Sequence, residues 1–225
     1  MNNYLELKNI SKTFSTNKKL KVIKNLSFNF KKGKTYSLMG PSGSGKSTLL
    51  NIISLIDQPT SGYIKFNTHQ INYEKKEDND QFRAKKIGIV YQQNNLLPDF
   101  TSLENIYLAS LSINNDKDLA ISKAKQLLKK IGLSNRADHY PSQLSGGEAQ
   151  RIAIARAIIN DPEIILADEP TGSLDMRTAK VIFNLLKDQK RSDRLIIFAT
   201  HNRFFGNKAD CLLEILDGNI KSSNG

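Results

Sequence analysis

Residues 40–48 read Gly40-Pro41-Ser42-Gly43-Ser44-Gly45-Lys46-Ser47-Thr48, a GxxxxGK[ST] run between an apolar strand-like segment at 34–39 and a helix-like one at 48–53. No other stretch restricts the fold as much, because the strand has to deliver a tight turn to a helix N-terminus, which makes the segment one unit of an α/β sheet. The glycines let the backbone wrap closely round an anion with successive N–H groups pointing inward, and the helix adds the positive end of its dipole. In such a loop Lys46 meets the β- and γ-phosphates and Ser47 offers its hydroxyl to Mg²⁺. The segment predicts a site for a nucleoside triphosphate.

The pattern on either side agrees. Tyr4, Leu5 and Leu7 open one short strand, and Leu26, Phe28 and Phe30 alternate with polar residues in another. Further strands are expected at 63–66 and at 87–91, with a charged, exposed stretch over 74–86 between them. From 94 to 159 the period becomes helical. Ala120, Ile121, Ala124, Leu127, Leu128 and Ile131 share a helix face that Gly132 terminates, and a second helix opens near Gly147 and stops at Asp161-Pro162. Apolar β-rich runs return at 164–167, 195–199 and 212–216. Such runs alternating with helices indicate a parallel sheet covered on both faces, with the block 94–159 inserted into it.

Composition narrows the classes. A chain of 225 residues can bury a sizeable core as one large domain or one domain with an inserted subdomain. The single cysteine, Cys211, allows no intrachain disulfide and reads as a small buried hydrophobe in a reducing compartment. The first residues lack the apolar stretch of a signal peptide, and no run of about 18 apolar residues predicts a membrane span. The excess of 33 Lys and Arg over 22 Asp and Glu gives +11, yet the lysines are scattered and accompany no aromatic-plus-basic motif, so nucleic acid is not expected as a partner.

Two further segments carry chemistry. Residues 164–169 form an apolar strand that delivers Asp168 and Glu169 at its C-terminal end, where α/β folds place ligands. Beside a phosphate loop, Asp168 can hold Mg²⁺ through its water shell, and Glu169 can orient and deprotonate an attacking water. Residues 144–151 read LSGGEAQR at the start of a helix. Ser145 offers a hydroxyl, Gly146 and Gly147 allow close backbone approach, and the helix aims free N–H groups at an anion. Ser145 and Glu148 also fit a capping box, and both readings can hold together.

With these residues in view, nearly the whole chain resembles the ATP-binding cassette family. Gln92 after an apolar strand is similar to the family's Q-loop, Ser173-Leu174-Asp175 to its D-loop, and Thr200-His201 to its H-loop. Phe14 falls where the family places an aromatic that stacks on adenine, more often Tyr, and Asn202 stands where Asp is usual. The resemblance implies a phosphate-loop, RecA-like α/β core with a mostly parallel sheet and an N-terminal antiparallel β-subdomain, over 1–93 and 160–225, and an inserted α-helical subdomain over 94–159. It also implies that two copies pair head to tail, each ATP lying between the phosphate loop of one and Ser145, Gly146 and Gly147 of the other. By the same analogy Ser47, Gln92 and Asp168 surround Mg²⁺, Glu169 handles the water, His201 contacts the γ-phosphate, and Asp175 belongs to the nucleotide-binding set.

The wording of 96–105 and 166–175 is similar to lipoprotein-releasing cassettes and their macrolide-exporter relatives. That implies an ATP-hydrolysing subunit working with separate integral membrane permease subunits, peripheral on the cytoplasmic face of a bacterial inner membrane. Leu96, Leu97 and Phe100 then line the groove that receives the permease, or serve as core of the helical block. A macrolide- or peptide-type exporter and a cell-division cassette are the alternatives. DNA-maintenance ATPases need a long coiled-coil insertion, whereas 94–159 has only about 66 residues and no sustained heptads.

Overall fold

The structure, a computed structural model, describes residues 3–15 and 19–223. In chain order the elements are β1 (Asn3–Ser15), β2 (Lys19–Lys31), β3 (Thr35–Met39), α1 (Lys46–Ile53), β4 (Ser61–Phe66), β5 (His69–Gln70), α2 (Lys76–Lys86), β6 (Ile87–Val90), α3 (Ser102–Leu111), α4 (Lys117–Lys130), α5 (Gly146–Ile158), β7 (Ile164–Asp168), α6 (Met176–Lys187), β8 (Leu195–Ala199), α7 (Arg203–Gly206), β9 (Cys211–Leu216) and β10 (Asn219–Ser223). They form two compact units, Met1–Asp80 with Lys190–Gly225, and Gln81–Gln189.

The first unit holds an antiparallel sheet in the order β2-β1-β4-β5. It also holds strands in the order β10-β9-β3-β8, with β3 parallel to both β8 and β9. The short strands expected near Tyr4 and Phe28 are each thirteen residues long. The cause is a parity flip. Asn9 and Asn25 take positive φ, 52° and 54°, and the register shifts between Leu7 and Ile10. Leu5 and Leu7 are buried and then Ile10, Ile23 and then Leu26, so strict alternation breaks while each strand continues through its bulge. All five side chains of β3 are buried, as are those of β8, the pattern of strands covered on both faces. Cys211 is buried as expected.

In the second unit β6 and β7 run parallel, Ile87 opposite Ile164. Helices α3, α4 and α5 enclose a core built on Ile106, Ala124, Leu128, Ile131, Leu133, Ile152, Ala155 and Ile159. Thr101 caps α3 in a capping box with Glu104. The N–H of Leu133 reaches back to the carbonyl of Leu128 at 2.8 Å, with Gly132 at φ +70°, and ends α4 where the sequence predicts. The charged stretch at 74–86 is exposed for the most part, yet it is helical: Glu77 and Asp78 sit in the first turn of α2, and Arg83, Lys85 and Lys86 in the last, complementing the dipole. No described helix is long and apolar enough to cross a membrane.

Candidate active site

In the first unit β3 ends at Met39 and the chain turns through Gly40, Gly43 and Gly45, with φ of +153°, +78° and +101°. Gly45 is the N-cap of α1, and its φ of +101° demands glycine; a Cβ there would also press on Ile23 Cδ1 at 2.8 Å. Pro41, Ser42 and Ser47 are exposed, and Thr48 is half-buried. Lys46, the first residue of α1, arches back so that its buried ammonium donates to the carbonyls of Gly40 (2.9 Å) and Pro41 (3.0 Å). It has no carboxylate partner among the described residues, and the first turn of α1 holds no acid. A buried cation beside the positive end of a helix dipole, facing only neutral carbonyls, favours an anionic ligand. Ser44 Oγ, buried in the same loop, has no hydrogen-bond partner among the described residues.

His201 lies at the same end of the strands. Leu38 and Ala199 are in register in β3 and β8, and the N–H of Thr200 donates to the carbonyl of Leu38 at 3.0 Å. That places His201, exposed, beside the strand that feeds the phosphate loop. Phe14, on β1, has 39% of its surface exposed, and the ammonium of Lys12 lies 5.0 Å from its ring centre.

The second unit gathers the remaining candidates. Asp168 closes β7, and its Oδ1 is buried without a hydrogen-bond partner among the described residues. Glu169 follows at φ +45°, a left-handed conformation that bends the chain out of the strand, and its carbonyl accepts the N–H of Gly172 at 3.0 Å. A Cβ on Gly172 would lie 3.2 Å from Gln92 Nε2 and 3.5 Å from Glu169 Cβ, so the turn brings Gln92 and Glu169 together. The loop leading from Gln92 is fixed by residues that the motifs do not mark. Gln150 donates to the carbonyl of Tyr91 at 3.0 Å, and Arg156 donates to those of Asn94 and Asn95 at 2.7 Å each.

Ser145 caps α5 in the expected capping box. Its Oγ accepts the N–H of Glu148 (3.3 Å) and donates to Glu148 Oε2 (2.9 Å). The Arg136 guanidinium binds the other carboxylate oxygen at 2.8 Å, and that pair, followed by the Ser145 N–H and hydroxyl, holds Glu148 down at about 2. Asp175 caps α6, accepting the N–H groups of Arg177 and Thr178, and Thr178 is the main cause of its lowered pKa. The two helix starts lie together: a Cβ on Gly147 would fall 2.4 Å from Thr178 Cγ2, and one on Gly146 3.6 Å from Leu174 Cδ2. Arg136 and Thr178 lie outside the motifs, and only their neighbours in space single them out.

Among the described residues no three of His, Cys, Asp and Glu cluster as a metal cage. The unpartnered Asp168 oxygen and the Ser47 hydroxyl are hard oxygen donors. Each, within its own unit, is the kind of donor that suits an ion such as Mg²⁺, which keeps waters and shares its coordination with phosphate rather than needing an all-protein site.

Comparison with known proteins places the same features in context. The family model described as "ABC transporter" matches residues 23–172. The lipoprotein-releasing system ATP-binding protein LolD of Wigglesworthia glossinidia brevipalpis is 43% identical, with all of both chains covered. LolD of Rickettsia bellii is 42% identical over 99% of each. Among solved structures, the post-hydrolysis dimer of the ATP-binding cassette MJ0796 bound to ADP and Pi superposes with a TM-score of 0.91 at 37% identity, covering 98% of both chains.

Proposed function

Because this chain belongs to the ABC transporter family as one of its ATP-binding ATPases, we propose that it powers separate membrane subunits that release lipoproteins from the bacterial inner membrane. The observation that carries nucleotide binding is Lys46, a buried ammonium with two neutral carbonyl partners at the head of α1. The cargo reading rests on full-length likeness to LolD proteins at 38–43% identity.

The proposed division of labour follows the chemistry of each group. Phe14 stacks on adenine. The N–H groups of Gly43, Ser44, Gly45, Lys46, Ser47 and Thr48 cradle the phosphates behind Gly40, Pro41 and Ser42, and Lys46 exchanges its carbonyls for the β- and γ-phosphate oxygens. Ser47, Asp168 and Gln92 would hold Mg²⁺, which when bound would supply positive charge against the phosphates. Glu169 takes the proton of the attacking water as its oxygen bonds to the γ-phosphorus; the bond to the β,γ-bridging oxygen breaks, and ADP and phosphate leave. His201 contacts the γ-phosphate. Ser145, Gly146 and Gly147 of a second copy supply hydroxyl and N–H donors to the charge that develops, with Asp175 beside them. ATP thereby joins two copies, and its hydrolysis lets them part.

Permease docking falls in the second unit. Leu97 and Phe100 are exposed, and their loop is clasped by the buried Asn105, which bonds to Leu97, Phe100 and Thr101. A nearby cavity of about 330 Å³, lined by Arg83, Ile87, Tyr91, Arg156 and Asn160, offers room for a partner's helix end. The partners are integral membrane permease subunits of the LolC/LolE kind, which would keep the chain at the cytoplasmic face of the inner membrane. Affinity purification from native membranes tests this. A co-purifying lipoprotein-release permease supports the assignment, and a macrolide-export or cell-division permease would reassign the cargo.

A further inference from the structure

Lys12 belongs to none of the motifs, yet among the described residues it is a well-enclosed cation. Its side chain is 11% exposed, and its ammonium bonds to Asp57 Oδ1 at 2.6 Å and to the Gln58 carbonyl at 2.8 Å while standing 5.0 Å from the centre of the Phe14 ring. A largely enclosed ammonium held by two oxygen acceptors gives up hydration that a surface lysine keeps, which calls for a reason.

Asp57 supplies one. After α1 the chain winds back on the helix: the N–H groups of Ile56 and Asp57 both donate to the carbonyl of Asn51 at 3.1 Å, and the N–H of Ser54 donates to that of Leu50 at 2.8 Å. Asp57 is therefore fixed to α1, the helix whose first residue is Lys46. A second stitch runs alongside, since the N–H of Thr13 donates to Thr60 Oγ1 at 3.0 Å and the N–H of Thr60 to the carbonyl of Ser11 at 2.8 Å. The segment bearing Phe14 is thus fastened, through Lys12, to the helix that grips phosphate.

We infer that Lys12 is a positioning residue for the adenine end of the nucleotide, fixing the Phe14 ring at a set span from the phosphate loop through Asp57. The inference rests on the proposed stacking of adenine on Phe14. Beyond holding the ring, the ammonium draws π density toward itself, which leaves the ring less repulsive to an electron-rich base stacking on it.

The test compares ATP with inorganic tripolyphosphate, which engages the phosphate loop but has no base. Binding of both is measured on the full chain for wild type, Phe14→Ala, Lys12→Met, Lys12→Arg and the Phe14→Ala/Lys12→Met double variant, with thermal melts to confirm folding. Lys12→Met should weaken ATP by about 2- to 30-fold, the span of a cation–π contact from exposed to desolvated, and leave tripolyphosphate unchanged. Lys12→Arg should restore ATP, and the double variant should bind ATP no worse than Phe14→Ala. If Phe14→Ala weakens ATP alone while Lys12→Met has no effect, or weakens both ligands equally, the role of Lys12 is overturned and the Phe14 platform stands. If Phe14→Ala leaves ATP affinity unchanged, the platform itself is wrong and the inference falls with it.

Discussion

Replacing Asn105 by alanine should loosen the loop that presents Leu97 and Phe100 while leaving nucleotide binding intact. The side chain of Asn105 is 1% exposed, and its oxygen accepts the N–H of Leu97 at 2.8 Å. Its amide nitrogen donates to the carbonyls of Leu97, Phe100 and Thr101 at 3.1, 2.9 and 3.1 Å. Two N–H bonds serve three acceptors, so one is shared and weaker. Four bonds at about 0.5–1.5 kcal/mol net each bound the loss at about 2–6 kcal/mol, and water reaching the exposed side of the loop sets the expected value near 2–3 kcal/mol. Urea unfolding of wild type and Asn105→Ala measures it. Asn105→Asp adds a sign test. Its carboxylate would face carbonyl oxygens, so its folded-state pKa rises above the unfolded one, and the variant should gain on wild type as pH falls from about 7 to about 4.5. An alanine variant within about 0.5 kcal/mol of wild type, or an aspartate variant whose deficit grows on acidification, would refute the clasp.

The other expectations concern the site. Glu169→Gln should bind ATP and elute as an ATP-dependent dimer with little phosphate release; normal turnover would remove Glu169 from the water. Lys46→Ala should weaken ATP binding by about 10- to 150-fold, the range for a charge-assisted hydrogen bond, measured by calorimetry. Gly147→Ala would put a methyl 2.4 Å from Thr178 Cγ2 and should cost about 1–3 kcal/mol, which the Gly147→Ala/Thr178→Ser double variant recovers in part because serine lacks that methyl. With Glu148 held at about 2, its contribution is complete above the unfolded carboxyl value and is lost as pH falls toward about 2. Glu148→Gln and wild type should therefore converge in stability across that window, as read by urea titrations at stepped pH.

What the sequence reveals well is contiguous chemistry. Gly40 to Thr48, Ser145 to Gly147 and Asp168-Glu169 each carry their meaning in neighbouring residues, and the strands and helices that hold them follow from apolar period. The strand limits of β1 and β2 escape that reading, because Asn9 and Asn25 flip the alternation at their bulges. So does α2, whose burial is confined to Asn79 and leaves no apolar stripe to detect. The supports of the site are harder still. Lys12 meets Asp57 across 45 positions and Gln150 meets Tyr91 across 59, and no local spacing records such pairs. Arg136 and Asn105 look like ordinary polar helix-block residues until their partners are seen.

Helix α5 carries Ser145 at its head, and along its length it grips the segment that follows Tyr91, through Gln150 and Arg156. A helix of thirteen residues is stiff over its whole span, so it behaves as a shaft rather than as a chain of independent contacts. A tilt of its head would therefore be carried to the carbonyls of Tyr91, Asn94 and Asn95, just before Leu96 and Leu97. On the proposed function, the end that would meet a second copy and the loop that would meet a membrane subunit are thus joined by one element, so a push on either would be felt at the other.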